Sequence, residues 1–299
     1  MAKLVECIPN VSEGRNESLI NEFVDAIKAT PGVMLMDCAP DSSHNRTVFT
    51  FAGNPEGVMD AAFRCAKIAV EKIDLTKHSG EHPRMGAIDV IPFVPLKDTS
   101  AAECVEMSKK LGQKLWEELK LPVFLYEDSA STPERKNLAS LRKGQFEGMA
   151  EKIKRPGFIP DYGDKLHETA GIVACGARMP LVAFNVNLNT SNIDIANKIA
   201  RIIRESSGGL KSVKSIGVML EDRNIAQVSI NMTNYEQAPL YRVLELVKIE
   251  AARFGVSVVG TEIIGLVPMN ALIACADYYL MIENFNSEKQ VLENYILKG

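Results

Sequence analysis

Between residues 3 and 96 the apolar spacing alternates between that of strands and that of helices, in the order β-α-β-β-α-β. Residues 3–9 (KLVECIP) read as a strand, and 10–16 (NVSEGRN) as a loop of turn formers and helix caps. Leu19, Phe23, Ala26 and Ile27 share one side of a helix over 17–29, which Pro31-Gly32 ends. Strands are expected at 33–38 and 46–52, joined by a loop that carries Asp41 and His44. A helix over 55–73 turns Val58, Ala61, Ala62, Cys65 and Ala69 inward, and 87–96 reads as a buried strand. This order is the ferredoxin-like motif. A helix at 100–119 and a strand at 123–126 extend it, and 128–135 (DSASTPER) enters helical, basic residues that run to 149. Residues 155–178 read as loop and hold the expected boundary, giving units 1–178 and 179–299. The second unit repeats the order: strand 181–189, helix 193–205, strands 213–220 and 226–232, helix 239–254 and strand 257–261. Helices at 268–282 and 287–297 follow. No sequence repeat accompanies the second unit, so the duplication is architectural. The expected class is α/β, of the α+β kind, with two ferredoxin-like βαββαβ subdomains.

A length of 299 residues suits two domains, and an apolar fraction of 46% with 24% charged residues is that of a globular chain. A net charge of −4, with no block of Lys or Arg, gives no reason to expect nucleic acid as a partner. No apolar stretch is long enough to span a membrane. Glu6, Pro9 and Glu13 interrupt any signal-peptide design at the N-terminus. The six cysteines form no CxxC pair and sit mostly among apolar residues, so a reducing cytoplasm is the expected location.

Residues 78–86 (HSGEHPRMG) concentrate chemistry: two of the four histidines, with Glu81 and Arg84 beside them. Pro83 biases His82 toward an extended backbone, and Gly80 and Gly86 are expected to serve tight or left-handed turns. The stretch reads as a stiff loop at the start of a strand, either presenting an imidazole for acid–base work or simply turning the chain. All four histidines (His44, His78, His82, His167) fall in predicted loops. A metal held by His78 and His82 with Glu81 or Asp89 would need ligands aligned on a helix, which a Pro-containing loop does not supply, so no metal is expected. No GxSxG motif is present, and Gly208-Gly209 is too short to cradle phosphate. Arg46, Arg84 and Arg178 lie at loop–strand junctions, where each could grip a carboxylate or be merely solvated or paired. Asn185, Asn187 and Asn189 share one strand face, and Gln227, Ser229 and Asn231 another. Side by side these rows would form either a polar floor for a neutral heterocycle or a solvated outer face.

The chain resembles the glutamate formiminotransferase family along nearly its whole length. The resemblance rests on VECIPNVSEG at the start, NRTVFTF at 45–51 and HSGEHPRMGAIDVIPFVPL at 78–96. It continues through the block from YEDSA to GQFEGM at 126–149, PDYG at 160–163, GAR and AFNVNL within 176–188, AQVSIN at 226–231 and GLVPMNAL at 265–272. It implies transfer of the formimino group from N-formimino-L-glutamate to tetrahydrofolate, a co-substrate, during histidine degradation. It also implies a homodimer whose ligand sits in a tunnel between the two sheets of each chain, with formiminoglutamate and folate polyglutamates as small-molecule partners. The second histidine of the motif, His82, carries over as the catalytic acid/base, an imidazole expected to titrate near neutrality. The folate-contacting loop carries over onto Gly163, Asp164, Lys165, Leu166, His167, Glu168, Thr169, Ala170 and Gly171. Arg178, Asn187 and Ser229 are further folate candidates, the last two expected to be satisfied only when folate is bound. Arg46, His44 and Arg84 are candidates for the glutamate part. Some relatives continue into a cyclodeaminase domain, which this chain is expected to lack. Two other readings stay open, a related formyl transfer between glutamate and 5-formyltetrahydrofolate, and a folate-binding module without catalysis.

Overall fold

In the computed structural model, which describes residues 3–296, the first predicted strand is shorter than expected, and a second strand forms beyond Pro9 in the stretch read as loop. The two are β1 (Val5–Cys7) and β2 (Asn10–Val11), and both pair antiparallel with the same two neighbours. Pro9 has no N–H to give a ladder, but its carbonyl still accepts from Phe49 N at 3.0 Å. After α1 (Glu17–Lys28), capped by Asn16, come β3 (Val33–Asp41) and β4 (Arg46–Gly53). β3 runs three residues past its predicted end, through Pro40, which is tolerated because β3 lies at the sheet edge. Asn54 and Pro55 then start α2 (Pro55–Lys72), and β5 (Ile88–Pro95) completes the first β-α-β-β-α-β order.

The extension differs from its sequence reading. A Ser100–Glu103 capping box opens α3 (Ala101–Leu119), and β6 (Val123–Glu127) follows. The expected helical run up to 149 is a 3₁₀ turn followed by two short helices, α4 (Leu138–Arg142) and α5 (Gln145–Lys152). Gly144, at φ +96°, separates them. The stretch 155–178, read as loop, holds β7 (Val173–Ala177), wholly buried and parallel between β5 and β6. Short, small residues gave it no strand signature. Gly176 is required there by close approach, since a Cβ would lie 2.3 Å from Tyr126 O. The sheet therefore runs β3, β4, β1 with β2, β5, β7, β6.

One face of this sheet packs Phe49, Phe51, Ile91 and Phe93 against α1, α2 and α3. On the opposite face Val90, Phe124, Tyr126 and Ala174 pack with Leu141 and Met149 of α4 and α5. Val48 and Asn10 share that second face with Val90, because the three are cross-strand partners. The first compact unit ends at Met179.

The second unit, from Pro180, is built from β8 (Val182–Leu188), α6 (Ile193–Ile203), β9 (Val213–Leu220), β10 (Ile225–Met232), α7 (Leu240–Arg253) and β11 (Val258–Ile264). Its antiparallel sheet has the order β11-β8-β10-β9. β11 extends three residues beyond the predicted end at 261. Val182, Phe184, Val186, Val228 and Ile230 pack under Ile199, Ile203, Val243 and Val247 of α6 and α7. Helices α8 (Met269–Leu280), α9 (Ser287–Gln290) and α10 (Leu292–Ile296) follow, so the last predicted helix is two pieces, and its position 297 lies outside the described residues.

Two glycines test this architecture. Gly176→Ala forces a Cβ into the Tyr126 carbonyl and should lower the unfolding free energy by about 1–3 kcal/mol. Gly148→Ala, inside α5 with nothing within 4 Å of the new Cβ, should raise it by about 0.4–1 kcal/mol. Urea unfolding of both variants beside the parent chain checks the pair.

Candidate active site

The histidine loop is irregular from His78 to Arg84 and sewn to the β3–β4 turn. Glu81 N donates to Ser43 O at 3.3 Å, His82 N to His44 O at 3.4 Å, and Asn45 Nδ2 to Ser79 O at 2.9 Å. Arg84 N donates back to His82 O at 2.8 Å, closing a three-residue turn centred on Pro83. The two glycines serve close packing, since neither has a positive φ. A Cβ on Gly80 would lie 2.3 Å from His44 O, and one on Gly86 2.2 Å from Ile172 O. His78 is part of the stitching, with Nε2 2.9 Å from Asn45 O.

Arg84, expected as a carboxylate grip for substrate, is an internal fastener instead. Its buried guanidinium forms a bidentate pair with Glu147 at 2.6 and 3.0 Å, and also reaches Gln145 Oε1 and His78 O. With Phe146 N donating to Arg84 O, α5 clamps the loop from above. Asp89, fully buried in an otherwise apolar strand, accepts from Met85 N at 2.7 Å and from Arg142 Nε and Nη2 at 2.7 and 2.6 Å.

His82 sits inside this cage, 2% exposed, and neither ring nitrogen has a hydrogen-bond partner. Burial drives its pKa down to about 4; the nearby charges of Arg142, Arg46 and His44 add to the fall, while Asp89 opposes it. The expectation of a near-neutral titration is therefore corrected for the ligand-free site: this imidazole is held neutral. Arg46 is half-buried, and its guanidinium feels Asp41, Arg142 and Asp89. His44 lies beside it, Nδ1 at 2.8 Å from Asp41 Oδ2 but not aligned for a hydrogen bond.

The loop 163–171 is brought against the histidine loop. Gly171, at φ +71°, would place a Cβ 2.3 Å from Met85 O, and Ala87 N donates to Ala170 O at 2.9 Å. Gly163, at φ +90°, lies against the Trp116 ring. His167 Nδ1 accepts from Ala170 N at 3.1 Å, which leaves the proton of the neutral ring on Nε2. Thr169 O accepts from Leu75 N, Leu166 packs on the cluster with Phe124, and Asp164, Lys165 and Glu168 are exposed. A cavity of about 460 Å³ opens beside this loop, lined by Ile153, Lys154, Pro160, Gly163, Lys165 and Leu166, among others. Arg178 is half-buried; its Nη1 donates to Met179 O, and its charge acts on Glu6 and Tyr126.

In the second unit the two polar rows do lie side by side, Asn187 opposite Gln227 and Asn185 opposite Ser229. Asn187, however, is already satisfied without a ligand. Its amide donates to Glu262 Oε1 at 3.0 Å and accepts from Gln227 Nε2 at 2.8 Å. Glu262 also accepts from Gln227 and from Arg223. Sequence reasoning missed Glu262 because the strand was ended one residue before it. It also missed Arg142 and Glu147. The lone Asp89 within AIDVIPF was the available signal, since a buried carboxylate requires a cation. Burial pushes the Cys65 and Cys104 thiols up to about 12, so neither offers a thiolate nucleophile.

Two family models match the chain. Residues 4–178 match the N-terminal subdomain of the formiminotransferase domain, and 183–296 match the formiminotransferase domain. A glutamate formimidoyltransferase of Streptococcus pyogenes is 60% identical over 298 residues, covering 99% of this chain and 100% of the relative. One from Thermoplasma acidophilum is 48% identical, over 99% of this chain and 98% of its own length. The formimidoyltransferase-cyclodeaminase of Mus musculus is 44% identical over 93% of this chain, which spans 53% of that relative. Agreement at this identity from end to end, on both halves, shows that the chain belongs to the formiminotransferase family.

Proposed function

We propose that the chain transfers the formimino group from N-formimino-L-glutamate to tetrahydrofolate, giving 5-formiminotetrahydrofolate and L-glutamate. The observation that carries this reading is His82, a buried imidazole held neutral with both nitrogens free to exchange protons. A non-catalytic folate module has no use for such a group, and relatives named as formimidoyltransferases favour the formimino donor over a formyl one. Bound tetrahydrofolate supplies the accepting nitrogen. His82 takes the proton that this nitrogen must lose and returns it to the departing glutamate nitrogen. Arg46, with His44 beside it, meets a glutamate carboxylate. That carboxylate would offset the cationic field on His82 and lift the imidazole toward the range where both transfers are easy.

The finer architecture is part of the proposal. Residues 1–178 and 179–299 act as two ferredoxin-like subdomains, supported by the β-α-β-β-α-β order of each. Gly163 to Gly171 and Arg178 line the folate, Ser229 and the Asn187–Gln227–Glu262 amide group offer the pterin its polar floor, and the working form is a cytoplasmic homodimer. The residues fit a folate in one concrete respect: a left-handed loop, a cavity and two lysines lie together at 154–166.

Incubating purified protein with formiminoglutamate and tetrahydrofolate should yield 5-formiminotetrahydrofolate, and no product would remove the proposal. His82→Ala should lower kcat by about 10²–10⁴ with folate affinity little changed. Near-normal kcat in that variant, or a greater loss in His78→Ala, would show the wrong histidine has been chosen.

Protonation gives a second prediction. The folded pKa of His82, about 4, lies below the ordinary value of 6.5, so the unfolded chain takes up its proton first as pH falls. The associated stability is fully present above pH 6.5 and is lost between 6.5 and 4. Unfolding free energies at pH 7 and at the acid end of that window should differ by about 3 kcal/mol less in His82→Gln than in the parent chain.

A third prediction concerns the tail of folate. Replacing Lys154 and Lys165 together with Ala should raise KM for polyglutamyl folate more than for the monoglutamate, and most at low salt. Equal changes for both forms would move the tail elsewhere. For the floor, Ser229→Val should leave the ligand-free melt unchanged while costing about 1–3 kcal/mol of folate binding, read by titration.

A further inference from the structure

The strand β2 holds another buried polar atom without a partner. Asn10 is 5% exposed, and its side-chain oxygen Oδ1 accepts no hydrogen bond. An unpaired acceptor in that position is costly, so its retention needs a reason. Direction and neighbours supply one. Val11 points into the core under the helices, so Asn10 points to the other face. Its cross-strand partners there are Val48 and Val90. Val90 follows Asp89, and Val48 lies two residues from Arg46, the two charges that act on His82. Ser12, two residues beyond Asn10, donates its hydroxyl to Gly86 O at 2.8 Å, tying the same strand to the end of the histidine loop. Two orphaned polar groups, the His82 ring and the Asn10 oxygen, are therefore both buried beside the strand positions that carry Arg46 and Asp89.

We infer that Asn10 is the residue that selects a formimino donor over a formyl donor, its Oδ1 accepting an N–H of the formimino group. The inference rests on the transfer reading above and deepens it. At neutral pH an N-alkyl formimino group is an amidinium: its terminal nitrogen carries hydrogens and shares the positive charge. Such a group satisfies a fixed acceptor in a dry pocket. A formyl group ends in an oxygen, an acceptor only, and leaves Asn10 Oδ1 facing another lone pair. A site that hydrogen-bonds one substrate rejects its analogue because a buried polar group is then left unpaired. The Asn10 amide makes this contact without taking part in proton transfer, which stays with His82.

The test compares formiminoglutamate as substrate with N-formylglutamate as competing ligand, in the parent chain, Asn10→Ala and Asn10→Asp. Asn10→Ala should lower kcat/KM for formiminoglutamate by about tenfold to a hundredfold and leave the inhibition constant of N-formylglutamate unchanged or smaller. Its ligand-free melting temperature should stay level or rise, because an unpaired buried acceptor is removed. Asn10→Asp keeps an acceptor at the same place and should retain the preference for formiminoglutamate. Equal losses for both ligands, an unchanged kcat/KM in Asn10→Ala, or Asn10→Asp behaving like Asn10→Ala would overturn the inference. So would a sharp drop in the melting temperature of Asn10→Ala, which would make Asn10 a residue of the fold. A parent chain that transfers no formimino group fails differently: it overturns the functional reading on which the inference rests.

Discussion

A single buried carboxylate organises the histidine-loop end of the first unit. Asp89 has no exposure to water, so its charge must be met from within. Arg142 meets it with two contacts, at 2.6 and 2.7 Å, and the Met85 N–H meets its other oxygen. Those three bonds draw α4 onto the sheet, set the point where the histidine loop enters β5, and place a cation near His82. Breaking such a pair from one side leaves an uncompensated charge, a cost of about 3–5 kcal/mol in comparable cases. The pair therefore holds shape and sets the field at once. Arg84, the residue before Met85, does parallel work by joining the loop to Glu147 and Gln145 of α5 and to His78 O at its start.

This division of labour explains why His82 is left alone. Most polar groups of the loop are spent on holding it: Asn45 on Ser79, His78 on Asn45 O, Ser12 on Gly86 O. The imidazole of His82 and the amide oxygen of Asn10 take no part in that work. Both lie where desolvation is severe, so each would gain from a ligand group that completes it. A site that keeps its acceptors unpaired gives up stability and gains discrimination. The second unit does the opposite with Asn187, Gln227 and Glu262, whose side chains satisfy one another in the absence of ligand. A network already closed is rigid, and it offers a ligand its remaining lone pairs and hydrogens without first having to be ordered.

Much of this was legible in the order of residues. Periodicities of two and 3.6 located the strands and helices of both β-α-β-β-α-β units, because half-buried elements must alternate apolar and polar positions in step with their backbone. HSGEHPRMG marked a stiff histidine-bearing loop, since proline and close-packed glycines leave little choice but a tight turn. The side-by-side polar rows followed from strand alternation. What failed had physical reasons as well. β7 carries small residues over only five positions, too few for a period to emerge. The glycines of the histidine loop looked like sites of unusual φ, yet the backbone of the β3–β4 turn and of Ile172 presses on them.

Composition and spacing by themselves determined which segments pair, which faces are apolar, and that one loop concentrates histidine, arginine and glutamate. Tertiary structure alone decided what those side chains are for. Arg84 and Arg46 are equivalent on paper, but one meets Glu147 and the other keeps a field on His82. His78 and His82 stand four positions apart in the same loop, and only the fold tells the ring that is hydrogen-bonded from the one left without a partner. The reason is that a pKa, a missing partner or a buried ion pair depends on distances between residues far apart in the chain, such as Asp89 and Arg142, which no local pattern records.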